Sequence, residues 1–225
     1  MTIRRYFFRW HSPCNAGAVP LFYIGSIPKY DKIKKSIMIV GQEARNYSNL
    51  NEVWPQNEIQ DFYTGYMARQ IFNDNNAYKY NHSPFWKFCR QFDPNQYNLV
   101  WDNINKLHKY NDGKTVRLPQ EDEYHLNSKY GKRHLSLIER EIELIEPSVV
   151  VFCVGPYYLN SIEISFGLAS DLHHLELTKL NPCVDISDAF HLKIPFFLTY
   201  HPNYLSRIKK IEYCSDIITK SIGKA

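Results

Sequence analysis

The chain has 225 residues, with 27 Lys and Arg against 23 Asp and Glu, a formal net charge of +4 with His neutral. Hydrophobic residues make up 44% and charged residues 22%, a balance that supports a sizeable core and argues against a disordered chain. No stretch approaches about 18 uninterrupted apolar residues, so no membrane span is expected. The basic residues Arg4, Arg5 and Arg9 have no long apolar segment behind them, so no secretory signal is expected either. The charge excess permits a polyanionic partner without demanding one.

Four runs read as strands in chain order: residues 36–40, 98–101, 148–154 and 195–200. Each is nearly continuous in apolar residues, as in strands buried on both faces of a helix-covered parallel sheet. Helical periodicity falls between and after them, at residues 61–72, 85–92 and 135–145. In the last of these, Leu135, Ile138, Ile142 and Ile145 recur at steps of three and four before Pro147. The tail from Tyr204 places Leu205, Ile208, Ile211, Ile218 and Ile222 near one face of a further helix. The alternation predicts an α/β fold: one three-layer α/β/α domain around a short, mainly parallel central sheet. Two polar stretches read as loops or insertions, residues 109–132 and 169–193, the second with a short strand expected at 172–177.

The five cysteines, Cys14, Cys89, Cys153, Cys183 and Cys214, are widely spaced and form no C-x-x-C pair. That usage suits a reducing, cytoplasmic setting and gives no support to a zinc ribbon or an iron–sulfur cluster. His173-His174 has no matching ligand pair, so no metal and no organic cofactor are expected.

Sites in open α/β sheets lie beyond the C-terminal ends of the strands. Gly41-Gln42-Glu43-Ala44-Arg45 follows the first run, Asp102-Asn103-Ile104-Asn105 ends the second, Gly155-Pro156 follows the third, and His201-Pro202-Asn203-Tyr204-Leu205-Ser206 follows the fourth. A carboxylate, an amide and an imidazole thus converge on one edge. Such a set suits general-base chemistry, recognition of a polar ring and stabilisation of a developing anion. Asp102 or Asn105 can stand in for Asn103 in this reading.

The ordered set resembles the uracil-DNA glycosylase superfamily. I-M-I-V-G-Q-E-A-R, ending at Arg45, is similar to its first motif, and H-P-N-Y-L-S, from His201 to Ser206, to its second. V-W-D-N-I-N-K places Asn103 where the family has an Asn at a strand end. Asn81-His82-Ser83-Pro84-Phe85-Trp86-Lys87 is similar to a helix start of the mismatch-specific branch, and the run ending V-F-C-V-G at Gly155 to the segment before the last motif. Glu43 stands where the family has Asp or Asn, Ala44 where it has Pro, and Arg45 where the uracil-specific branch has a Tyr that excludes thymine.

The resemblance implies a base-excision DNA glycosylase that acts without cofactor on a base flipped out of DNA. Glu43 would activate a water and stabilise the cationic sugar. Asn103 would bind the Watson–Crick edge of the base, with Gly41 and Gln42 beside it. His201 would donate to the departing base as a neutral imidazole. Phe62 or Trp54 would stack on the base, while Trp86 reads as core. Leu205 would wedge into the vacated stack, and Ser206 and Arg207 would hold backbone phosphate. The implied partner is single- or double-stranded DNA, bound by a monomer. Two other readings stay open: a glycosylase-like DNA-binding protein without catalysis, and an N-glycosidase of free nucleosides or nucleotides.

Overall fold

The computed structural model describes residues 33–43, 65–67, 69–71, 82–105, 109–111, 114–117, 120–129, 134–168, 172 and 175–223. Five strands form one sheet in the order β2 (Tyr97–Asn105), β1 (Lys35–Glu43), β5 (Val149–Phe152), β7 (Phe196–Thr199), β6 (Cys183–Asp185). Neighbours are parallel except β6, which pairs antiparallel with β7. The four parallel strands are those expected from their apolar runs.

Alternation along the strands divides the core in two. Ile37, Ile39, Leu99, Trp101 and Val151 face helices α1 (Pro84–Cys89), α5 (Pro202–Arg207) and α6 (Ile211–Ile222) through Phe88, Leu205 and Cys214. Met38, Val40, Val100, Phe152 and Leu198 face α3 (Leu137–Ile145) and α4 (Leu159–Phe166) through Ile142 and Ile162. Both faces are therefore covered, which is why the strands read as unbroken apolar runs.

Local signals set the helix ends. Ser136 accepts from the Glu139 N–H while the Glu139 carboxylate accepts from the Ser136 N–H, a complete capping box at the start of α3. Glu146, at φ 50°, and Pro147 then end it. Ser83 caps α1 with Pro84 in the first turn, where the missing N–H costs nothing.

Three expectations need correction. The tail expected as one helix is two, because Lys209 takes a left-handed φ of 56° and the Lys210 N–H bonds back to the Leu205 carbonyl. The described residues of 172–177 form no strand; the added edge strand is β6, whose Cys183 and Asp185 pair with Thr199 and Phe197. The stretch 109–132 contains an antiparallel hairpin of β3 (Lys109–Asn111) and β4 (Lys114–Val116), followed by helix α2 (Gln120–Asn127). In the stretch expected as helix 61–72, residues 65–67 and 69–71 are helical. Among the described residues no helix is long and apolar enough to cross a membrane.

Removing the α3 cap tests this local account. Ser136→Ala is expected to lower stability by about 1 kcal/mol in urea denaturation with an unchanged slope; an unchanged midpoint would contradict the capping role.

Candidate functional site

The parallel register of β1 and β2 sets Gly41 opposite Asn103. Both positions lie on the face shared with Ile39 and Trp101. A Cβ at Gly41 would stand 2.5 Å from Asn103 Oδ1 and 3.4 Å from Phe85 Cε2. The absent side chain is thus what lets the Asn103 amide lie across the end of β1. Asn103 is 3% exposed, so its amide is almost dry.

Phe85, in the first turn of α1, reaches the same place. Its ring is held edge-on by Trp86 at 5.2 Å and tilted against Trp101 at 6.1 Å, and Trp86 meets Trp101 at 4.8 Å. Each such aromatic pair adds about 0.5–1.5 kcal/mol beyond burial. On its other side Phe85 lies nearly parallel to the His201 ring, at a centroid distance of 6.3 Å and an interplanar angle of 27°.

His201 leaves β7 and caps α5. Its Nδ1 accepts the backbone N–H of Asn203 at 3.2 Å. That bond uses the Nδ1 lone pair, so the hydrogen of the neutral ring sits on Nε2. Gly155, at φ 67°, brings the end of the β5 run against the same turn: a Cβ there would lie 3.8 Å from the His201 backbone nitrogen.

Gly41, Asn103 and His201 are brought together at the C-terminal edge of the sheet, and Phe85 joins them. Sequence reasoning missed Phe85 as a site residue, although it stands in the Ser83-Pro84-Phe85-Trp86 segment that signalled a helix start. Trp86, 3% exposed, is core as expected. The alternatives to Asn103 go elsewhere. Asp102 alternates to the opposite face with Val100 and Ile104 and accepts the Asn103 N–H at 2.7 Å. Asn105 donates to Glu123 at 3.1 Å and accepts from Asn127 at 2.6 Å.

The backbone of Glu43 ends β1 opposite Asn105; its side chain, Trp54, Phe62 and His173-His174 lie outside the described residues. Gln42 Nε2 donates to the Val154 carbonyl at 2.9 Å, which makes Gln42 a brace between β1 and the β5 loop. Leu205 is 0% exposed and packs in the core, so it cannot act as the expected wedge without leaving that core. Ser206 is half-buried and Arg207 exposed, its guanidinium 5.6 Å from the Tyr204 ring centre.

The four described cysteines belong to the packing rather than to this edge. Cys89, Cys153, Cys183 and Cys214 are buried free thiols, and burial pushes the Cys89 and Cys153 thiols up. Among the described residues no group of three His, Cys, Asp or Glu is placed to hold a metal ion. Comparison with protein-family models, curated proteins and solved structures returned no match.

Two substitutions separate site from scaffold. Gly41→Ala is expected to fold but to displace the Asn103 amide, shifting its side-chain N–H signals in a 15N spectrum while Ile162 on the opposite face keeps its own; unmoved Asn103 signals would contradict the close approach. Leu205→Ala is expected to cost about 2–5 kcal/mol of stability. A variant as stable as the parent would return Leu205 to the surface.

Proposed function

We propose that the chain is a glycosylase-like hydrolase of N-glycosidic bonds, acting on uracil or a related damaged base in DNA, with a uracil-DNA glycosylase-like fold. The observation that carries the reading is the meeting of the Asn103 amide, the Phe85 ring and the His201 imidazole at one sheet edge. The sheet supports it as well: the parallel strands run in the spatial order second, first, third, fourth in sequence, which places the first strand's end centrally.

Each group has a part in such a reaction. An amide offers a donor and an acceptor together, matching the N3–H and O4 of uracil. Phe85 presents the ring face that the sequence reading sought in Phe62 or Trp54. Nε2–H of a neutral His201 donates to O2 as the base leaves with negative charge. Glu43, at the end of β1, orients or deprotonates the attacking water, and its charge favours the oxocarbenium-like sugar. Arg207 and Ser206 supply phosphate contacts beside the His201 turn. No residue in this scheme requires a metal or an organic cofactor.

A second reading has one observation in its favour. With Leu205 sealed in the core, this motif supplies no wedge. An N-glycosidase of free nucleosides or nucleotides uses the same groups and needs none.

The test is release of base from a uracil-containing single strand, from a G:U duplex and from deoxyuridine monophosphate. Excision from either oligonucleotide, with Glu43→Gln lowering the single-turnover rate about 100-fold or more and binding little, is the expected result. Turnover of the mononucleotide alone would select the second reading. Salt-dependent DNA binding without release of any of several damaged bases would leave a binding protein.

A further inference from the structure

The loop leaving β5 carries an aromatic ring into solvent on the same sheet edge. Tyr157 is 83% exposed, whereas its neighbour Tyr158 is 6% exposed. The loop departs beside the β7 end that leads into His201, since the Gly155 N–H donates to the Thr199 carbonyl at 3.0 Å. What separates Tyr157 from an ordinary surface tyrosine is how firmly its main chain is held.

Pro156 fixes one backbone angle, and Arg117 fixes the next peptide: its Nη1 donates to the Tyr157 carbonyl at 2.7 Å, with its guanidinium 4.2 Å from the centre of the Tyr158 ring. Arg117 is itself held by Glu123, through Nε and, at 2.8 Å, through Nη2. Glu123 is 1% exposed and also accepts from Asn105 at 3.1 Å and from Ser161 at 3.2 Å. The end of β2, helix α2, helix α4 and the β5 loop are therefore tied through one guanidinium–carboxylate pair. This gives the insertion at 109–132 a purpose: it braces the loop that displays Tyr157.

A ring displayed on a fixed main chain has only two side-chain torsions to order on contact, which is the economical way to offer a stacking surface. Bases stack on such rings regardless of sequence. We infer that Tyr157 is a stacking platform for a base of the nucleic-acid strand, next to the nucleotide held at Asn103 and His201. The inference rests on the DNA reading proposed above, and it supplies a strand contact that the buried Leu205 does not.

The experiment is fluorescence anisotropy with a labelled single-stranded oligonucleotide carrying an uncleavable deoxyuridine analogue. Tyr157→Ala is expected to bind about 10-fold more weakly, and Tyr157→Phe to bind like the parent. Both variants are expected to melt with the parent, because the ring is in water. Equal binding by Tyr157→Ala, or equal weakness of Tyr157→Phe and Tyr157→Ala, overturns the stacking role while the DNA reading stands. A parent chain that binds no oligonucleotide overturns both.

Discussion

At one register position of the β1–β2 pair, one strand has no side chain and the other carries a primary amide. Gly41 and Asn103 share this position, and the 2.5 Å that would separate a Cβ from Oδ1 leaves room for one of the two but not both. The consequence is local and strong. The amide cannot drift into the space over β1 unless that space is empty, and once there it is nearly dry and lies near Phe85 of α1. The proposed contact of Asn103 with a base depends on Gly41 leaving this position open.

The remaining parts are positioned by ordinary packing. Phe85 is set by the cluster of Trp86, Trp101 and Tyr66, in which Tyr66 meets Trp86 at 5.7 Å. His201 is set by its own capping bond, which also selects its tautomer. Tyr200 anchors the preceding step, its hydroxyl donating to the Leu177 carbonyl at 2.6 Å, and Thr199 donates to the Pro182 carbonyl at 2.7 Å. A short parallel sheet with both faces covered thus offers a rigid edge on which groups from four strand ends can be compared. The proposed stabilisation of a leaving base would draw on donors that are already oriented at this edge and need not reorganise.

Much of this was legible in the sequence, for physical reasons that also explain the failures. Strands buried on both faces are largely apolar along their middle, so Ile37 to Val40 and Val149 to Phe152 were readable without neighbours. Asn103 and His201 were readable because they sit where such runs end. The break between α5 and α6 was not, since it depends on a left-handed Lys209 where no glycine or proline marks a turn. Strand β6 was missed because Cys183–Asp185 is too short for its alternation to show, and its place depends on pairing with β7. Leu205 fitted both an exposed motif and an apolar stripe, and the stripe prevailed. Phe85 needed the meeting of α1 with α5, a contact between elements more than a hundred residues apart, which no local pattern encodes.

The most direct measurement is an experimental structure of the chain with an oligonucleotide carrying an uncleavable deoxyuridine analogue. The account predicts the uracil with its Watson–Crick edge on the Asn103 amide, its face on Phe85 and its O2 within hydrogen-bond reach of His201 Nε2. A nucleotide bound on another surface, or an Asn103 amide turned away from the ligand, would contradict it.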